Sequence, residues 1–109
     1  MTVSELKDSL NFKSVSLPCP TREVTGGYTG DLLSWVMGRA KCGDAWITIM
    51  SNMNVAAVAS LADVSCVIFS EGVCPEDDVV KVAEQRGINL LSSPYPSYET
   101  AVMLAELLK

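Results

Sequence analysis

Residues 44–72 read DAWITIMSNMNVAAVASLADVSCVIFSEG, and the fold turns on how this stretch is divided. Ala45-Trp46-Ile47-Thr48-Ile49 is rich in β-branched and aromatic residues and reads as a strand. Ser51-Asn52-Met53-Asn54 then leads into a helix with Val55, Val58 and Ala62 on one face. Cys66-Val67-Ile68-Phe69 is apolar without a break, as expected of a strand covered on both faces of a parallel sheet, and Ser70-Glu71-Gly72 is the turn that follows. Strand, polar turn, helix, strand is the repeating unit of an α/β protein.

The same unit extends in both directions. Upstream, Arg22 to Thr25 reads as a short strand ending in a turn, Gly26-Gly27-Tyr28-Thr29-Gly30. Asp31 is placed to cap a helix whose apolar positions are Leu32, Leu33, Val36, Met37 and Ala40. Downstream, Pro75-Glu76-Asp77-Asp78 signals a helix start with acids against the dipole, Val79, Val82 and Ala83 form its buried side, and Gly87 stops it. Ile88 to Leu91 is the last strand, and Ser97 is placed to cap a final helix with Ala101, Leu104, Ala105 and Leu108 at core spacing. At the start, Thr2-Val3-Ser4-Glu5 is a capping box ahead of Leu6 and Leu10, and Lys13 to Leu17 alternates like a half-buried strand before Pro18 and Pro20. These elements predict an α/β fold: a three-layer sandwich with a mostly parallel five-stranded sheet and helices on both faces. Residues 1–11 form an N-terminal helix and 12–109 the α/β core of one domain.

Composition narrows the function classes. Eight Lys and Arg stand against thirteen Asp and Glu, a net charge of −5 with no basic stripe, so nucleic acid is not an expected partner. No apolar run is long enough to span a membrane and the first eleven residues lack a signal-peptide layout, so no membrane role is expected and the cytosol is the default location. Cys19, Cys42, Cys66 and Cys74 form no Cys-x-x-Cys pair and there is no histidine, which argues against a metal site and against His-based acid–base chemistry. Cys66 reads as a small core residue. Cys74, next to Pro75 at a helix start, is a contact residue or a reactive thiol.

Parallel sheets bind ligands beyond the carboxyl ends of their strands, so the turns there are where binding residues are sought. The candidates are Thr25, Gly26, Gly27, Thr29, Gly30 and Asp31 in the glycine-rich turn, Asn52 and Asn54 after the third strand, Glu71 and Gly72 after the next, and Ser92 and Ser93 after the last. Glycines let backbone N–H groups approach an anion, although a P-loop and a complete Gly-x-Gly-x-x-Gly are both absent. The alternative account of the first turn is a tight capped connection, and of Asn54 a plain N-cap.

Arg22-Glu23-Val24-Thr25-Gly26-Gly27, followed by Tyr28-Thr29-Gly30-Asp31-Leu32-Leu33-Ser34, resembles the signature of the DRTGG domain family. Gly43-Asp44-Ala45-Trp46-Ile47-Thr48 and Asn54-Val55-Ala56-Ala57-Val58-Ala59 extend the resemblance, which runs from about Lys13 to Leu108. Thr21 stands where the family name would place an aspartate. DRTGG domains accompany CBS domains in some pyrophosphatases and occur in bacterial phosphotransacetylases. They are similar to the N-terminal domain of HPr kinase/phosphorylase, without that enzyme's P-loop domain. The resemblance implies a regulatory domain with no catalytic residue and no cofactor. Together with the polar turns it gives the expected function: binding a small anionic metabolite or nucleotide at the carboxyl edge of the sheet, as a homodimer. The alternative is a ligand-free interaction subunit docked on a partner enzyme, served by apolar surface at Trp35, Met37 or Tyr95.

Overall fold

The computed structural model describes residues 1–109. Helix α1 (Val3–Leu10) is followed by β1 (Lys13–Ser16), β2 (Gly26–Thr29), α2 (Leu33–Arg39), β3 (Asp44–Thr48), α3 (Asn54–Ala62), β4 (Cys66–Phe69), α4 (Asp77–Arg86), β5 (Leu90–Ser92) and α5 (Ser97–Leu107). The five strands lie in the order β1-β5-β4-β3-β2. Strands β2 to β5 run parallel and β1 pairs antiparallel with β5, with a bulge between Ser14 and Ser16.

Alternation along the strands divides the core in two. Ala45, Ile47, Cys66, Ile68 and Leu91 point to the side carrying α1 and α5, where they meet Val3, Leu6 and Leu104. Trp46, Val67, Phe69 and Leu90 point to the other, against Val36 of α2, Val55 and Val58 of α3 and Ala83 of α4. Both sides of β3 and β4 are buried, which is why their sequences are apolar without a break. The mostly parallel sheet with helices on both faces is as expected.

The strand boundaries differ in one place that matters. Gly26 to Thr29 is not the turn after a strand but the strand itself, paired with Asp44 to Ile47 at the edge of the sheet. Arg22 to Val24 lies before it and pairs on its outer side with the N-terminus, through Val24 N–H to the Met1 carbonyl and Val3 N–H to the Arg22 carbonyl. Two glycines in sequence read as a turn because that is where they are most often needed. Here tertiary contact is the reason. A Cβ on Gly27 would stand 2.8 Å from Leu104 Cδ2 of α5, and one on Gly26 would stand 2.9 Å from Asp44 Oδ1. The last strand is also shifted, to Leu90–Ser92, because Ile88 and Asn89 belong to the loop that seals the amino ends of the strands.

Several caps are rearranged as well. Asp31 does not cap α2, whose N-terminus has no side-chain cap; its Oδ1 accepts hydrogen bonds from Thr48 Oγ1 (2.8 Å) and Ile49 N–H (3.0 Å). Asn54 is the first residue of α3, and Asn52 Oδ1 accepts its N–H at 2.9 Å. Pro75 precedes the Glu76 cap position of α4, which starts at Asp77. Ser97 opens α5 without capping it, and its hydroxyl meets Ser70 Oγ at 2.6 Å.

Candidate functional site

The carboxyl ends of the strands form a rim that is largely bound to itself. Glu71 and Gly72, both with positive φ (60° and 70°), donate their N–H groups to the carbonyls of Tyr95 and Ser93. Ser92 Oγ donates to the Val73 carbonyl at 2.9 Å, and Ser93 Oγ lies 2.8 Å from Thr100 Oγ1. Ser92, Ser93, Ser70 and Thr48 are buried, and no buried side-chain polar atom lacks a partner. Ser70 and Ser92 tie the β4–α4 connection to β5 and α5, Ser93 braces the β5–α5 turn against Thr100, and Thr48 holds Asp31. Small clefts border the rim: Ser51 and Asn52 face Glu76 and Asp78 across one, while Gly72 and Ser92 meet Asn11, Lys13 and Cys74 at another.

Because Gly26 pairs with the first residue of β3, the glycine pair stands at the amino end of the sheet, on its far edge from Ser92. The expected convergence of all twelve candidates on one carboxyl rim does not occur. Asp31, Asn52, Glu71, Gly72, Ser92 and Ser93 follow the strands' carboxyl ends, as does Gly30, whose carbonyl accepts Trp46 Nε1–H at 2.8 Å. Asn54 turns into α3. Thr29 lines an apolar groove of about 190 Å³ between β2 and α5, shared with Gly27, Tyr28, Ile47, Ala101, Leu104, Ala105 and Leu108.

Thr25, Gly26 and Gly27 instead border a polar cleft of about 460 Å³ at the start of β2, completed by Tyr28, Arg39, Lys41, Cys42 and Asp44. Helix α2 ends at Arg39, so the chain delivers two cations to this cleft within three residues. Neither has a carboxylate within ion-pairing distance; the ion pairs of the protein are made elsewhere, by Met1, Lys7, Arg22 and Lys109. Arg39 lies 3.8 Å from the centre of the Trp35 ring, a cation–π contact that leaves its N–H donors free at the guanidinium rim. Asp44 is the one opposing charge, and its Oδ2 is engaged by Lys41 N–H at 2.8 Å. Two cations against one hydrogen-bonded carboxylate favour an anion in a protein whose overall charge repels one.

Backbone geometry adds donors. Thr25 N–H bonds the Gly43 carbonyl toward β3 while Val24 N–H bonds Met1 on the outside. Alternation along the strand therefore turns the N–H groups of Gly26 and Tyr28 outward, to an edge with no partner strand. Arg39 and Lys41 were not among the residues singled out from sequence. A signal existed, since they are the only two basic residues fewer than five positions apart.

Below the cleft, Arg22 pairs with Asp63 Oδ1 at 2.7 Å, and Cys42 Sγ–H donates to Asp63 Oδ2 at 3.0 Å. The carboxylate's hydrogen bond and charge raise the Cys42 thiol pKa, and the thiol and guanidinium lower that of Asp63. Cys42 is thereby held as a neutral thiol. No group of three or more Cys, Asp or Glu side chains is arranged to hold a metal ion. No helix is long and apolar enough to cross a membrane.

Comparison with known proteins bears on the fold and the family. Residues 32–107 match the family model described as the DRTGG domain. Among solved structures, the chain is similar to the CBS and DRTGG domains of the regulatory region of Clostridium perfringens pyrophosphatase, a crystal structure complexed with the activator diadenosine tetraphosphate. The TM-score is 0.74 at 15% identity, with 94% of this chain and 45% of that one covered. This chain thus spans less than half of that structure, and at such identity the likeness is one of fold. No curated protein matches. The family match begins after β2, so the glycine pair and its cleft lie outside the matched residues apart from Arg39, Lys41, Cys42 and Asp44.

Proposed function

The chain belongs to the DRTGG domain family, and on that premise we propose that it is a non-catalytic regulatory module that binds a small anionic metabolite or nucleotide. The observation that carries this reading is the cleft beside β2, where Arg39 and Lys41 stand without carboxylate partners next to the Thr25 hydroxyl and the outward N–H of Gly26. Phosphate and phosphorylated compounds are the anions such a guanidinium, ammonium and backbone set recognises. The binding place is accordingly the amino edge of the sheet, at Thr25, Gly26 and Gly27, and not the carboxyl rim, whose hydroxyls are already paired. The solved relative, complexed with a nucleotide activator, makes nucleotides the natural first probes. Regulation rather than catalysis is supported by the lack of histidine and by the state of the one thiol at the cleft, Cys42, which Asp63 holds in its neutral, weakly nucleophilic form.

The test is thermal unfolding with inorganic phosphate, ATP and dinucleoside polyphosphates. A bound ligand at a hundredfold excess over its Kd adds about 2.7 kcal/mol. Arg39→Gln with Lys41→Gln is expected to abolish the shift while lowering the unliganded melt only slightly, by the loss of the exposed Arg39–Trp35 contact, about 0.5–1 kcal/mol. A shift that survives in the double variant places the ligand elsewhere; no shift with any anion removes the reading.

A second reading is favoured by exposed apolar side chains on and near α2: Leu32 (57% exposed), Trp35 (52%), Met37 (48%) and Ile49 (46%). This surface suits a homodimer or docking on a partner enzyme.

A further inference from the structure

We infer that the free edge of β2 is a docking strand for an extended peptide of a partner protein, with an acidic residue between two apolar ones. Strand Gly26–Thr29 pairs on one side only. Natural edges are usually blunted by Lys, Pro or a bulge, and Gly-Gly-Tyr-Thr has none of these. Just upstream the same side of the chain already takes a short antiparallel pairing: Thr2 and Glu23 form an isolated bridge, flanked by Val24 N–H to the Met1 carbonyl and Val3 N–H to the Arg22 carbonyl. In line with that segment, an added strand meets the outward N–H and C=O groups of Tyr28 and Gly26, the sheet-extension mode of peptide recognition.

The two faces of this edge set the side chains. Residues opposite Thr29 and Gly27 lie on the α5 face, over the apolar groove of Ala101, Leu104, Ala105 and Leu108. The residue between them, opposite Tyr28, lies on the α2 face toward the cleft of Arg39 and Lys41. An apolar–acidic–apolar segment satisfies both at once. A second copy of this chain presenting its own β2 does not, because Gly-Gly-Tyr-Thr brings neither an aliphatic side chain for the groove nor a carboxylate for the cations. The inference uses the cleft of the small-anion reading for its acidic residue, and the edge and groove independently of it.

The probe is an end-blocked hexapeptide, Ser-Leu-Glu-Leu-Ser-Ser, titrated by fluorescence polarisation into the whole chain. Saturable binding is expected. It should weaken about tenfold or more when the Glu nitrogen is methylated, which removes the hydrogen bond to the Tyr28 carbonyl, and likewise when Lys replaces Glu. Ala105→Leu, at an exposed helical position, fills the groove without disturbing the fold and should weaken binding to the same degree. No saturable binding, or binding indifferent to N-methylation and to Ala105→Leu, overturns the inference. So does a native dimer that Ala105→Leu dissociates, since the edge then belongs to a second copy. Phosphate binding with no peptide binding removes this inference alone; peptide binding with no phosphate effect removes the small-anion reading alone.

Discussion

Leu104 Cδ2 occupies the space that a side chain on Gly27 would need, 2.8 Å from the place of its Cβ, and this contact seats α5 on the edge strand. Gly27→Ala is expected to destabilise by about 1–3 kcal/mol, the ordinary cost of overpacking. Chemical denaturation of Gly27→Ala, Leu104→Ala and the double variant should give strongly non-additive losses, since the smaller residue 104 leaves room for the added methyl. Asn89 is the other residue whose role is purely steric and polar. It is 1% exposed, its Nδ2 donates to the carbonyls of Cys19 (2.7 Å) and Ser65 (3.0 Å), and its Oδ1 accepts Cys19 N–H (2.9 Å). Asn89→Leu strands those groups and should cost roughly 2–4 kcal/mol in urea melts. Cys66 gives a pH signature. Burial pushes its thiol from 9.0 up to about 12, so the folded chain prefers the neutral form more strongly than the unfolded chain does. Its contribution is complete below pH 9 and is lost as pH rises toward 12. Stability measured across that window should fall in the wild type and fall less in Cys66→Ala.

At the scale of elements, helix ends show what the sequence could and could not tell. The capping box of α1 is legible and present: Glu5 N–H reaches Thr2 Oγ1 at 3.1 Å, and Thr2 N–H reaches Glu5 Oε1 at 2.9 Å. Both partners lie within four residues, so local chemistry suffices. Gly87, at φ 73°, ends α4 for the same reason. Asp31 was legible as a polar residue before a helix but not as the acceptor for Thr48 and Ile49, because that partnership depends on β3 lying next to β2. The phase of β2 failed likewise: Gly26 and Gly27 answer to Asp44 and Leu104, far away in the chain. Strands β1, β3, β4 and β5, the five helices and the two-sided core were readable from periodicity; β2 itself, and the meeting of Thr25–Gly27 with Arg39 and Lys41, were not, since both depend on the strand order. Helix α2, seven residues long, has no side-chain cap and buries only Val36. Hydrogen exchange should find it the least protected helix of the domain, well below α3.

For the molecule as a whole, the strand order places its two ends in different chemical situations. The carboxyl rim is closed by hydrogen bonds among its own loops, whereas the β2 border keeps a free edge, a cationic cleft and an apolar groove. Beside this border lies the apolar surface of α2. Leu32 and Trp35 are one helical turn apart, and Ile49 is tied through its N–H to Asp31, immediately before Leu32, so three exposed apolar residues stand close together. Ordinary surfaces scatter such residues singly, and a cluster of this kind is what a subunit interface covers. If the chain pairs with itself, this surface is the one buried, leaving β2 open for an added strand. Sedimentation equilibrium of the wild type is then expected to show a dimer. Leu32→Lys with Trp35→Lys should shift it to a monomer, because two like charges facing two more across a symmetric contact are costly in a desolvated interface. Circular dichroism should be unchanged, both side chains being more than half exposed. A dimer that persists in this variant places the contact on another face, and a wild-type monomer assigns the α2 surface to a different protein.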